Sequence, residues 1–170
     1  MSWSNFFYID PAWTALFDRH GVGNLSSLLN WEEGVLVESE NGSEVWRVSI
    51  TDSAGIEHAL YLKKYFIRTS KKFRSEFFRG AFFGRSKARR EFGNLERLRD
   101  FEIGVTTPVA FGEERSLGRL TRCFLLTEEV PESWDLDEVL MKVLPEMPAR
   151  LAKCTRQSLI SRLAEIARKM

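Results

Sequence analysis

His58-Ala-Leu-Tyr-Leu-Lys63-Lys-Tyr-Phe66 is an apolar, aromatic run with two lysines near its middle. The turn sequence Asp52-Ser-Ala-Gly55 stands before it, and the run reads as a β-strand. Side chains alternate along a strand, so Lys63 and Lys64 face opposite sides. A lysine in a half-buried strand needs an anionic partner, or it must reach out to water. Either one of the pair faces inward or toward a cleft, or the strand is an edge carrying two solvated lysines.

Upstream lie two further strand signals. Gly34-Val-Leu-Val-Glu-Ser39 is short and β-branched, and Asn41-Gly42 is a hairpin pair whose residues tolerate positive φ. In Glu44-Val-Trp-Arg-Val-Ser-Ile50, Val45, Arg47 and Ser49 oppose Trp46, Val48 and Ile50. The expectation is an antiparallel meander of three strands. Before it, residues 1–30 read as a helical preface: Pro11 suits a helix start, and Trp13, Leu16 and Phe17 share a face before Gly21 and Gly23 stop the helix.

Downstream, Ser86 to Phe101 reads as a helix with Gly93 as its weak position. Glu91, Leu95 and Leu98 stand at i, i+4 and i+7, which places the carboxylate with the leucines on one face. A carboxylate there is costly unless paired. Lys63 is one candidate partner, and Lys87, one turn earlier on the same helix, is the other. Thr107 to Gly112 and Arg122 to Glu128 read as short strands. Thr127-Glu128-Glu129-Val130 is a polar linker directly after a buried strand, either a hinge or an ordinary surface loop. Acidic loop-to-helix sequence (Ser133 to Met141), a proline-marked connection (Pro145 to Pro148) and a helix over about Thr155 to Met170 follow. Strands and helices segregate, which makes the fold α+β rather than a doubly wound sheet.

The composition is that of a globular protein: 44% apolar and 29% charged. Cys123 and Cys154 have no metal-ligand spacing and read as reduced thiols. No run approaches the roughly 18 apolar residues of a spanning helix, and the first residues do not read as a signal peptide. The net charge of +1 hides an asymmetry. Lys63 to Arg90 holds eleven Lys or Arg and one acidic residue, Glu76; the remainder is acidic. Six phenylalanines lie among or beside these cations, from Phe66 to Phe83.

In order and spacing the chain resembles the lipopolysaccharide core heptose kinases, the WaaP/InaA-like branch of the protein-kinase-like superfamily. The resemblance rests on Tyr61-Leu-Lys63 with its aromatic-basic sequel, and on Ala88-Arg-Arg-Glu91-Phe through Leu95-Glu-Arg-Leu98 with Gly104-Val-Thr. It rests also on Phe111-Gly-Glu, Leu120-Thr-Arg and Phe124-Leu-Leu-Thr-Glu-Glu129, and on Ile160 to Met170. It covers roughly Asn30 to Met170. It implies a kinase-like N-lobe at 31–130, with an antiparallel sheet of about five strands and one main helix. Residues 131–170 would be the segment after the hinge and the first helices of a truncated C-lobe. Lys63 would contact the phosphates of ATP and Glu91 would hold Lys63. Thr127 would sit behind the adenine, and Glu128, Glu129 and Val130 would offer hinge backbone contacts. The family transfers phosphate from ATP to a heptose of the lipopolysaccharide core, at the cytoplasmic face of the inner membrane.

The chain departs from that pattern in two places. The strand meander lacks G-x-G-x-x-G, with only Gly42 at its turn. Neither His20 nor His58 precedes an Arg-Asp pair, and no aspartate follows Asp137. Kinase chemistry needs a positioned aspartate and metal ions on the phosphates. The expectation is therefore a nucleotide-binding lobe inactive on its own, without residues for Mg²⁺. The apolar stripe Leu159, Leu163, Ile166 and Met170 supports this, because such a face expects a further domain. The alternative reading is a module binding anionic membrane or lipopolysaccharide through residues 63–90. Nucleic acid is not an expected partner, since no recognised motif accompanies the patch.

Overall fold

The computed structural model describes residues 5–40, 42–67, 84–131, 133 and 136–169. Most of the basic, phenylalanine-rich run, and with it the anionic-surface expectation, lies outside the described residues. The chain divides into two compact units: Met1–Arg97 with Thr106–Glu129, and Leu98–Val105 with Val130–Met170.

The first unit is built on a six-stranded antiparallel sheet. Its strands are β1 (Phe6–Ile9), β2 (Val35–Glu40), β3 (Ser43–Thr51), β4 (Glu57–Phe66), β5 (Pro108–Ser116) and β6 (Arg119–Glu128). Their spatial order is β1-β5-β6-β4-β3-β2. The strand at His58–Phe66 therefore lies inside the sheet, with β3 on one side and β6 on the other, and the edge-strand reading of the two lysines falls. Lys63 stands opposite Val45 and Leu125.

The turns follow local chemistry. Asp52 Oδ1 accepts from the amides of Ala54 and Ile56 at 2.8 and 2.9 Å, closing the β3–β4 turn. Leu117 and Gly118, both at positive φ (49° and 79°), make the tight β5–β6 hairpin. That hairpin extends both strands beyond the apolar runs that announce them.

Each face of the sheet is covered by helix. On one side, α1 (Pro11–Arg19) and α2 (Leu25–Leu29) pack Phe17, Leu28 and Leu29 against Val48, Ile50, Leu60, Leu62, Phe124 and Leu126. Asp10 caps α1 through the Ala12 amide, and Asn24 with Ser27 forms a capping box on α2. Burying each large side chain contributes about 1.5–3 kcal/mol. The helix expected from Pro11 is α1, but the described part of this segment also holds α2 and supplies β1, whose short run Phe6–Ile9 gives too little alternation to identify from sequence.

On the other side lies α3 (Lys87–Asp100). Its Phe92 packs on Phe111 of β5 (ring centroids 4.7 Å) and edge-on to Tyr8 of β1 (5.2 Å). Ala88 and Phe92 are its buried residues, with Leu95 partly buried. The spacing i, i+4, i+7 holds, but through Ala88, Phe92 and Leu95. Glu91 is one residue away, at the margin of the buried face rather than within it.

The second unit contains α4 (Leu136–Glu138), a single π-type turn (Val139–Val143), α5 (Leu144–Glu146) and the long α6 (Ala149–Lys169). Helix α6 begins just after Pro148, a turn and a half before the Thr155 expected. Among the described residues no helix is long and apolar enough to cross a membrane.

Candidate functional site: a lysine, a carboxylate and the strand end on one sheet face

Tyr61, Lys63 and Tyr65 alternate onto the face of β4 that α3 covers. Lys63 Nζ lies 3.7 Å from Glu91 Oε1, with both side chains 37% exposed. Of the two partners open to Glu91, the ion pair forms with Lys63. Lys87 instead sits over the Tyr65 ring, 4.9 Å from its centroid. The second Glu91 oxygen accepts the Tyr65 hydroxyl at 2.7 Å. Tyr65 is buried, and its phenol pKa is pushed far up, first by desolvation and then by the Glu91 bond. It remains a neutral donor that fixes the orientation of the Glu91 carboxylate. Tyr65 is a site residue the sequence did not flag: an aromatic in a strand reads as core, and only the fold brings its hydroxyl to Glu91.

Lys64 goes the other way. It is 2% exposed and donates to the Trp31 carbonyl at 2.6 Å, with its ammonium over the Trp46 ring. Burial lowers its pKa. Of the two lysines, Lys63 is the one with donors available to a ligand, since its partner stands at the long end of ion-pair range.

Thr127 is half-buried at the end of β6, opposite Tyr61 of β4. The backbone beyond it is partly committed. Glu128 donates its amide to Thr107 O at 2.9 Å and accepts the Thr106 hydroxyl at 2.6 Å. Glu129 donates its amide to Ala59 O at 2.9 Å. Each carbonyl keeps a lone pair, but these two amides already have partners. The Glu129 side chain is bound twice. Arg47 grips it with Nε and Nη2 at 2.9 and 2.7 Å, and Tyr61 donates its hydroxyl at 3.1 Å. The Arg47 bonds hold the Glu129 carboxyl below its ordinary pKa. A clasp of three side chains thereby joins β3, β4 and the residue after β6.

Chemically, the assembly presents one oriented cation on a rigid strand, braced by a carboxylate from a helix. Such a group can hold an anion such as a phosphate; it does not break bonds by itself. Among the described residues no cluster of three or more His, Cys, Asp or Glu could hold a metal ion.

No curated protein matches the chain. A solved structure of WaaP in complex with acyl carrier protein is similar, with a TM-score of 0.53 and 23% sequence identity. The match covers 86% of this chain and 50% of that one, so the chain spans about half the length of the structure it resembles. At that identity the likeness speaks for the fold, which is kinase-like. The model of the lipopolysaccharide kinase (Kdo/WaaP) family matches residues 29–170, nearly the whole sequence, and the chain belongs to that family.

Proposed function

We propose that this chain is the nucleotide-binding lobe of a lipopolysaccharide kinase, with Lys63 contacting the phosphates of ATP. The observation that carries the reading is the ion pair between Lys63 of β4 and Glu91 of α3. Kinase-like folds orient their phosphate-binding lysine with a strand-to-helix ion pair of this kind. In this reading Thr127 stands behind the base. The carbonyls at Glu128 and Glu129 and the amide of Val130 supply its backbone contacts, since the Glu128 and Glu129 amides are already bonded. Lys63 neutralises and aligns the phosphates, and Glu91, held by Tyr65, keeps Lys63 from swinging to solvent. ATP supplies the transferable phosphoryl group when bound.

The acceptor is proposed to be a core sugar of lipopolysaccharide, which would place the protein in the cytoplasm at the periphery of the inner membrane. In this reading these residues bind the nucleotide and do not by themselves supply the groups that transfer its phosphate. Within them no His precedes an Arg-Asp pair and no aspartate follows Asp137. Photolabelling with an azido-ATP tests the binding role. Labelling that unlabelled ATP competes away, and that Lys63→Ala weakens at least tenfold, supports the reading. Labelling indifferent to both overturns it. Phosphate transfer to lipopolysaccharide by this chain alone would contradict that part of the reading.

A further inference from the structure

Glu113 is a carboxylate in the middle of β5 with 1% of its surface exposed. Burying a charge is costly and is offset only by close partners. The partners of Glu113 are specific. Its Oε1 accepts the Ser86 amide at 3.0 Å. Its Oε2 accepts Arg115 Nη2 at 2.9 Å and Nε at 3.3 Å. The Arg115 guanidinium also donates to the Gly84 carbonyl at 2.9 Å and to Gly118 O at 3.3 Å. Ser86 in turn caps α3, accepting the Arg89 amide on its hydroxyl at 3.0 Å. Desolvation works to raise the Glu113 pKa, but the Ser86 and Arg115 bonds outweigh it and the net shift is downward.

This buried ion pair therefore grips the backbone entering α3 at two points, the carbonyl of Gly84 and the amide of Ser86. Five residues beyond Ser86 stands Glu91, whose contact with Lys63 is already 3.7 Å long. A slide or rotation of α3 by an ångström breaks that contact.

We propose that Glu113, with Arg115, is a positioning residue: it fixes the start of α3 so that Glu91 meets Lys63. An apolar pair could fill the same volume without the burial cost. What the charges add is a defined attachment of the helix start to β5. The proposal rests on the reading of Lys63 as the phosphate-binding lysine, and its test separates the two.

The first arm needs no nucleotide. Acylation of Lys63 by an amine-reactive reagent, followed by peptide mass spectrometry, is compared for the wild type, Glu91→Gln and Glu113→Gln. Glu113→Gln is expected to raise Lys63 reactivity to the level of Glu91→Gln, with faster amide exchange over residues 86–92 and unchanged exchange in β4. Wild-type reactivity in Glu113→Gln would overturn the proposal. Should that variant fail to fold, Arg115→Lys, which keeps a cation beside Glu113 but loses the forked hold on Gly84 O, is held to the same criterion.

The second arm is a double-mutant cycle on the binding of a fluorescent ATP analogue. Glu113→Gln is expected to weaken binding about fivefold alone and to add nothing in the Glu91→Gln background. Additive losses would show that Glu113 does not act through Glu91. If the wild type binds no nucleotide, the nucleotide reading falls and the acylation arm alone decides the positioning claim.

Discussion

Lys63 and Lys64 are adjacent in sequence and opposite in environment, and their substitutions should part accordingly. Lys64→Ala leaves a cavity and orphans the buried Trp31 carbonyl, at a cost of about 2–4 kcal/mol. Chemical denaturation checks this. Lys63→Ala, half-exposed and in a long ion pair, should cost no more than about 1 kcal/mol. The sequence showed that the two lysines face apart, but not which was buried. Strand alternation is symmetric, and only the docking of Trp31 over one face breaks the symmetry. The Lys63–Glu91 pair was half legible: the sequence offered Glu91 both Lys63 and Lys87, and its argument from burial did not hold, because Glu91 stands at the margin of the buried face. Tyr65 and Glu113 were not legible, because an aromatic in a strand reads as core and nothing in the pattern around Glu113 marks it as buried, although its cation, Arg115, is only two residues away. Glu113 also sets a pH dependence. Its folded pKa is lowered below the ordinary 4.5, so its contribution is fully present above that value and is lost as pH falls through the lower folded value. Thermal stability should therefore fall on acidification below about pH 4.5. Arg115→Met, which leaves the Glu113 carboxylate buried without its cation, should flatten that part of the fall. An unchanged acid profile in the variant would remove Glu113 as its source.

At the scale of elements, β3 was legible because its side chains alternate, and β4 and β6 because each is a short apolar run bounded by polar or turn sequence. Helix α3 was legible from its period, although its buried seam runs through Ala88, Phe92 and Leu95 rather than through Glu91. Strand β1 and helix α2 are four and five residues long, too short for a period to emerge. Their place is decided by tertiary packing: Tyr8 of β1 helps seat Phe92, and Leu28 and Leu29 of α2 close the opposite core. Gly112 shows how closely these elements meet. A methyl group there would stand 2.5 Å from both Leu25 of α2 and the Phe124 ring of β6. Gly112→Ala should thus destabilise the first unit by about 1–3 kcal/mol. A melting temperature equal to that of the wild type would mean that α2 is free to move off the sheet.

For the whole molecule, the family and the kinase-like fold were readable from the order of the motifs, while each motif alone was modest. The residues Thr127 to Val130 left a hinge and a surface loop both open, the resemblance favoured the hinge, and the bonds of the Glu128 and Glu129 amides could not be seen from side-chain pattern. In α6, Ile160, Leu163 and Ile166 are 66%, 51% and 37% exposed. An apolar stripe of that kind favours association. The chain should self-associate with rising concentration, and Ile160→Lys with Leu163→Lys should abolish this in light scattering. A monomeric wild type at all concentrations would count against it. The central claim is that Lys63 binds the phosphates of ATP. Calorimetric titration of the folded 170-residue chain with ATP, with Lys63→Ala as control, tests it most directly. The account predicts saturable binding that the substitution weakens at least tenfold while the fold is kept. Binding of equal strength in the two proteins, or no binding to a folded wild type, would contradict it.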